Sequence, residues 1–197
     1  MLGYFLSNPD NLAWPTILLW LIPLLGILLV LLIALLTWRH RTRHKREVRR
    51  VLKAIGTEVA SDILVPDGMG GQIHIDHLLL TARGLLVLDI KDVGGVIFGS
   101  DRMDEWAVID GERRYTFRNP QSALYDRVAA VKSLARDVPV SGRIGFTSSG
   151  QFTKGMPKAV VMLDALDKEF GRFGESSSIT NAFYPHWQRV LRATTRA

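Results

Sequence analysis

Residues 72–91, QIHIDHLLLTARGLLVLDIK, decide the fold of this chain. Two short runs rich in Leu, Ile and Val, over 72–80 and 85–91, flank the tetrapeptide Thr81-Ala82-Arg83-Gly84. Apolar runs of this length between turn residues are typical of buried strands. Gly84 is suited to the positive φ that a tight turn requires. The stretch therefore predicts a β-hairpin.

The charged residues Asp76, Asp89 and Lys91 lie within the two predicted strands of this hairpin. Asp is disfavoured in strands, so these positions need an explanation. The two-residue period of a strand places Asp89 and Lys91 on one face with Val87. Burying such a face costs free energy unless its charges are paired or bound to a metal. The tight turn brings Asp76 near Asp89, and two close carboxylates repel without a cation between them. The residues therefore predict a site for Mg²⁺, which prefers oxygen ligands.

The rest of the chain predicts an α/β fold in which helices flank a mixed β-sheet. A helix is expected over 44–60, a second one from Asn119-Pro120 to before Pro139, and a short one over 164–170. After a break at 175–178, a last helix covers 181–196. The further expected strands are 62–65, 94–98, 106–117 with a turn at Asp110-Gly111, 144–146 and 159–163.

An uncharged stretch precedes the predicted domain. No charged residue occurs from Leu12 to Trp38, and residues 17–36 are almost wholly Leu, Ile and Val. About 20 such residues are needed for a helix to cross roughly 30 Å of hydrocarbon. Trp14 and Trp38 bracket the stretch, as aromatic residues do at membrane interfaces. These features predict a transmembrane helix over 14–38, after a short extracytoplasmic N-terminus over 1–13.

The net charge of +6 is unevenly distributed. Residues 39–53 carry eight Lys or Arg against Glu47, whereas residues 54–197 carry seventeen basic and seventeen acidic side chains. A basic segment over 39–46 is expected to attract anionic membrane lipids and to set topology. The N-terminus is then outside and the domain cytoplasmic, in a single-pass protein of a bacterial-type inner membrane. The residues that predict this topology are Arg39, Arg41, Arg43, Lys45 and Arg46.

The chain has no cysteine, which excludes disulfides and thiolate metal sites. Several motifs occur in a fixed order: Glu47 in a predicted helix, Ile75-Asp76-His77, Leu88-Asp89-Ile90-Lys91 before Gly94-Gly95, Trp106, and Asn119-Pro120. Together they resemble the nuclease-related domain (NERD) family, a branch of the restriction-endonuclease-like PD-(D/E)xK superfamily. The resemblance covers roughly residues 46–170. It implies a nuclease-like domain over 47–170, followed by a C-terminal linker and helix over 171–197.

The resemblance also implies roles for individual residues. Asp76 and Asp89 would ligate Mg²⁺ or Mn²⁺, Lys91 would orient water or stabilise the phosphate, and Glu47 would assist from its helix. The family usually carries Glu at the position of Asp89, and its helix Gln lies a few residues beyond Asn-Pro. In this chain the Gln is Gln121, directly after Pro120.

Gln121 and Tyr125 are four residues apart, hence on one helical face. They resemble the Gln-xxx-Tyr pair of exonuclease-type relatives, which implies a catalytic role for Gln121 and a substrate contact for Tyr125. They could equally be the first turn of a docked helix.

The expected function is membrane-anchored, Mg²⁺-dependent hydrolysis of phosphodiester bonds in DNA. The alternative is a non-catalytic nucleic-acid-binding or scaffold module on the same fold, because nucleic-acid binders normally show a clustered basic face, and residues 54–197 carry no net charge. For single residues, Asp89 and Lys91 could form only an exposed ion pair on an edge strand. Glu58 could replace Glu47 as the carboxylate supplied by the helix. His74 and His77 fall on opposite strand faces and cannot share a metal.

Overall fold

The computed structural model describes the backbone of residues 10–171 and 177–197, and the side chains of residues 23–39, 45–171 and 180–197. The helices are α1 (Asp10–Ile55), α2 (Gln121–Ala135), α3 (Leu166–Phe170), which follows a 3-10 turn at Leu163–Ala165, and α4 (Ser177–Ala193). The strands are β1 (Glu58–Pro66), β2 (Gln72–Thr81), β3 (Gly84–Lys91), β4 (Gly95–Phe98), β5 (Glu105–Asp110), β6 (Arg113–Arg118), β7 (Val140–Phe146), β8 (Gly150–Phe152), β9 (Val160–Met162) and β10 (Thr195–Arg196).

The chain divides into two units, Met1–Arg46 and Glu47–Ala197, and the second contains two mixed sheets. The larger sheet has the strand order β10-β1-β2-β3-β7-β9 and is parallel only across β3, β7 and β9. The smaller has the order β6-β5-β4-β8, with β4 and β8 parallel. The α/β class is confirmed, but the expected single sheet is replaced by two.

The predicted hairpin is confirmed as β2 and β3. The strands pair antiparallel from Thr81↔Gly84 to His77↔Leu88. Gly84 has a φ of 111°, and the Thr81 hydroxyl donates to its carbonyl oxygen at 2.9 Å. The glycine is therefore at the one position of the turn where its conformational freedom is required.

Both faces of this hairpin are buried, which explains its nearly continuous apolar sequence. Leu78, Leu80 and Val87 belong to a core that also contains side chains of α2 and α4. Leu86 and Leu88 belong to a second core with the end of α1 and with α3. The hairpin is therefore the middle layer of the second unit.

Helix α1 ends earlier than the sequence predicts. The expected helix continued to residue 60, whereas α1 stops at Ile55 and β1 begins at Glu58. The Gly56 amide makes the last helical bond, to Leu52, and the Thr57 amide already donates to Leu80 of β2 at 2.8 Å. Pairing with β2 therefore outweighs the helical apolar period, and the predicted strand at 62–65 is the end of this longer strand.

The predicted membrane segment lies within α1. Among the helices of the described part of the chain, none is both long enough and apolar enough to cross a membrane. The expected transmembrane helix over 14–38 is therefore not supported. The side chains of Trp14, Arg41 and Arg43 lie outside the described residues. Trp38, Arg39, Lys45 and Arg46 are exposed.

The remaining elements follow the sequence pattern with three differences. The stretch 106–117 forms the hairpin of β5 and β6, with Gly111 at a φ of 61°. Strand β8 was not expected, because a three-residue element has too short a pattern to detect. The last helix spans Ser177–Ala193 and not 181–196, and residues 175–176 of the expected break lie outside the described residues. Strand β10, at Thr195–Arg196, replaces the expected end of that helix and pairs with β1.

Candidate active site

Asp89 is a fully buried carboxylate in the middle of the larger sheet. Strand β3 lies between β2 and β7, so it is not an edge strand. Strand alternation places Asp89 on the face of Leu85 and Val87, which is covered by α2. The interpretation of Asp89 and Lys91 as an exposed ion pair on a sheet edge is therefore wrong.

Arg127 of α2 neutralises part of this buried charge. Its Nη1 donates to Asp89 Oδ2 at 2.6 Å, and its Nε donates to the backbone oxygen of His74 at 2.6 Å. The side chain is 19% exposed. Arg127 lies between the buried residues Leu124 and Val131 on the helix face that packs against the sheet. The guanidinium therefore bonds to both β2 and β3 on the face of the sheet that α2 covers.

Arg127 was not among the residues predicted from the sequence to belong to the site. The helical period could have revealed it. Arg127 is three residues after Leu124 and four before Val131, so its charged side chain lies on the apolar face of the helix. A buried Arg requires an acidic partner, and Asp89 is an acidic residue within an apolar strand.

The second oxygen of Asp89 has different surroundings. Oδ1 is buried and has no hydrogen-bond partner among the described residues. Burial raises the pKa of Asp89, and the Arg127 guanidinium opposes that rise. The charge of Asp76 also raises this pKa, whereas Lys91 and His74 lower it. Asp76 and Lys91, the other two charged residues predicted for the site, therefore both shift the pKa of Asp89.

Asp76 lies one step beyond the last β2–β3 pair, His77↔Leu88, so the same register sets it opposite Asp89. Its side chain is 31% exposed. His74 lies between two carboxylates, with Nδ1 3.4 Å from Asp76 and Nε2 2.7 Å from Asp62. His77 instead pairs with the Ser61 hydroxyl at 2.8 Å, consistent with the opposite faces predicted for the two histidines.

Lys91 ends β3 at the mouth of a cleft of about 540 Å³. Tyr115, Phe117 and Arg118 of β6 form one wall, and the first two turns of α2 form another. Lys91 is half-buried, and strand alternation places it on the same face of β3 as the buried Asp89.

Asn119 fixes the start of α2 against the smaller sheet. Its Nδ2 donates to Met103 at 2.8 Å, and its Oδ1 accepts from the Gln121 amide at 3.0 Å. Trp106 is buried beside it, with its ring 5.8 Å from Phe117 in an edge-on contact. The Asn-Pro and Trp motifs thus place the helix that carries Arg127.

Three further residues were predicted to belong to the site, Gln121, Tyr125 and Glu47. Gln121 is buried, and its Oε1 accepts from the Ala159 amide at 3.4 Å, whereas Tyr125 is 55% exposed. Neither is among the described residues that line the cleft. Glu47 lies on α1, which packs on the Leu86 and Leu88 face of β3, opposite the face of Asp89. The roles of Gln121, Tyr125 and Glu47 stay predictions.

A divalent cation fits this site by the chemistry of its donors. The buried Oδ1 of Asp89 and the half-exposed Asp76 offer carboxylate oxygens, which Mg²⁺ and Mn²⁺ prefer. Among the described residues, no group of three or more His, Asp or Glu side chains is arranged to hold a metal. Mg²⁺ is commonly held by one or two carboxylates and completes its shell with water and substrate oxygens.

Comparisons with known proteins agree with the resemblance. An uncharacterized protein of Bacillus anthracis is 25% identical over 100 residues, which are 49% of this chain and 47% of that protein. The chain thus spans about half the length of this curated relative. No solved structure matches the chain. A family model of the nuclease-related domain matches residues 40–147, more than half of the 197 residues, and the chain therefore belongs to the nuclease-related domain family.

Proposed function

We propose that the chain hydrolyses phosphodiester bonds of DNA with the help of Mg²⁺ or Mn²⁺. The observation that carries this proposal is the buried Asp89, whose Oδ1 has no hydrogen-bond partner among the described residues and whose pKa responds to the charges of Asp76 and Lys91. Membership of the nuclease-related domain family supports the same reaction class. An unpartnered buried carboxylate oxygen costs free energy and is therefore characteristic of a functional position.

Each residue of the site has a distinct part in this proposal. Asp76 and Asp89 would hold the cation, which when bound would supply positive charge to the phosphate and acidify water. Arg127 holds Asp89 through Oδ2 and leaves Oδ1 directed away from the ion pair. The Lys91 ammonium would donate to the scissile phosphate and stabilise the charge that develops there.

Cleavage of labelled DNA by the full-length protein tests this proposal. Wild-type protein is expected to cut DNA with Mg²⁺ or Mn²⁺ and to lose activity with a chelator. Asp76→Asn, Asp89→Asn and Lys91→Met are each expected to reduce the rate by about a hundredfold or more. Asp164→Asn, which alters an exposed Asp outside the site, is the matched control. Equal activity of Asp89→Asn and Asp164→Asn would refute the proposal.

We also propose that the residues before Glu47 attach the domain to the cytoplasmic side of a bacterial-type inner membrane. The support is the sequence itself, in which the apolar run of 17–36 is followed at once by the basic segment 39–46. Attachment would confine cleavage to DNA near the membrane.

A further inference from the structure

The cleft beside Lys91 has a wall that hydrolysis of a phosphodiester bond does not by itself require. We propose that this cleft holds an unpaired base of single-stranded DNA, which stacks on Tyr115 while Lys91 and Arg118 contact the flanking phosphates. The inference rests on the proposed function, because Lys91 belongs both to the cleft and to the proposed catalytic group.

The aromatic wall comes from an edge strand. Strand β6 is the last strand of the smaller sheet and pairs with β5 on its inner side. Tyr115 and Phe117 are two residues apart, hence on one face of β6. Tyr115 is 45% exposed, and Phe117 packs edge-on beside its cross-strand neighbour Trp106, which is itself buried. The cleft therefore presents an exposed phenol ring next to a packed aromatic pair.

The apolar surface inside the cleft favours binding of a base over binding of a phosphate. Val93 and Pro120 give it apolar surface, and its volume of about 540 Å³ is in the range of small-ligand sites. An apolar interior does not solvate a phosphate, whereas a base can stack on an aromatic ring irrespective of its sequence.

The cleft also carries charged side chains. Among the described residues of the lining, Lys91 and Arg118 are cationic, and Asp126 of α2 is acidic. A phosphate is therefore expected near Lys91 and Arg118 and is repelled by Asp126. This local arrangement does not need a basic excess over the whole domain, which agrees with the zero net charge of residues 54–197.

These features favour a single strand over a duplex. In a duplex, base faces are stacked inside the helix and only phosphates and base edges are exposed. A binder of duplex DNA that relies on many phosphates shows a steep dependence on salt. The cleft instead offers one ring and two cations, so binding of a single strand should depend only shallowly on salt.

The test measures binding of the full-length protein to fluorescent oligonucleotides in the presence of a chelator, so that cleavage does not occur. Wild-type protein is expected to bind a single strand more tightly than the duplex of the same sequence. Tyr115→Ala and Arg118→Ala are each expected to weaken single-strand binding roughly tenfold, and Tyr115→Phe to retain it. A strand that contains iodouracil should cross-link to Tyr115 on irradiation.

Two matched variants control for loss of an aromatic ring or of a charge elsewhere. Tyr184→Ala removes a 41% exposed tyrosine from α4, and Arg114→Ala removes an exposed Arg of β6 that is not among the described residues lining the cleft. Both are expected to bind like wild type. Preference for the duplex, no loss in Tyr115→Ala, or equal losses in the control variants would overturn the inference. Tyr115-dependent binding without any cleavage after Mg²⁺ is added would refute the proposed function and leave the inference standing.

Discussion

The two oxygens of Asp89 have different surroundings, and this difference defines the site at the residue scale. Oδ2 accepts from Arg127 at 2.6 Å, whereas Oδ1 is buried without a partner among the described residues. A fully buried carboxylate is tolerated only with compensating charge. Arg127 supplies part of that compensation from α2, and the remaining oxygen is available to a cation. The same guanidinium binds the backbone of His74, so it also holds β2 beside β3.

Replacing Arg127 by Met is expected to lower the free energy of unfolding by about 3–5 kcal/mol, because Asp89 becomes an uncompensated buried charge. The double variant Arg127→Met with Asp89→Asn should recover part of that loss, because no buried charge remains. Urea denaturation of the variants measures both effects.

The control for this experiment is Arg143→Met. Arg143 pairs with Glu169, but the two side chains are 27% and 30% exposed. Because both of these side chains keep contact with solvent, loss of this pair should cost less than loss of the Arg127 pair, whose carboxylate is fully buried. A similar loss of unfolding free energy in Arg127→Met and Arg143→Met would show that the buried Arg127–Asp89 pair stabilises the protein no more than a partly exposed pair does.

At the scale of elements, the β2–β3 hairpin depends on close approach of its turn to the segment before β7. The Leu85 amide donates to the Pro139 carbonyl oxygen at 2.9 Å. A Cβ atom on Gly84 would lie 2.2 Å from that same oxygen. Gly84 therefore meets two constraints at once, a positive φ and a contact that leaves no room for a side chain. The parallel pairing of β3 with β7 begins beside this contact, at Leu85↔Val140.

Gly84→Ala is expected to destabilise the protein more than Gly68→Ala does. Both glycines have a positive φ, of 111° and 79°, but nothing lies within 4 Å of a Cβ atom built on Gly68. Gly68→Ala should cost about 1 kcal/mol for backbone strain. Gly84→Ala should cost roughly 1–3 kcal/mol more, because the backbone must shift.

Thermal and urea denaturation of the two glycine variants measure this difference. Equal stability of the two variants would mean that the Pro139 contact relaxes without cost and does not fix the hairpin.

At the scale of the whole molecule, charge is segregated along the chain. The excess of seven positive charges in residues 39–53 adjoins an apolar stretch, and the domain from residue 54 onward is neutral. Lys and Arg near a membrane surface each contribute about 1 kcal/mol of attraction to anionic lipids. The N-terminal segment therefore supports the proposed membrane location, and the neutral domain does not.

Expressed in bacteria, the full-length chain is expected in the membrane fraction and to resist extraction with alkaline carbonate. A variant without residues 1–38 is expected in the soluble fraction, because the apolar run is gone. Immunoblots of the two fractions measure the distribution. Recovery of the full-length chain in the soluble fraction would contradict the proposal.

Local sequence patterns were sufficient for most elements of the second unit. The β2–β3 hairpin, the β5–β6 hairpin and helix α2 follow from apolar runs, turn glycines and an Asn-Pro start. The same patterns selected Asp76, Asp89 and Lys91 as charges misplaced in apolar strands. The predicted hairpins and helix were confirmed because strand alternation and turn chemistry depend on residues that are close in sequence.

The tertiary structure decided everything that depends on pairing between distant residues. It ended α1 at Ile55, because β1 pairs with β2, and it divided the strands into two sheets. It brought Arg127 to Asp89 across 38 positions of sequence and placed β6 beside Lys91 to form the cleft. The sequence alone determined which charges had to be compensated, because strand period fixes which side chains share a face. Only long-range packing determined what compensates them, because the partner comes from another element.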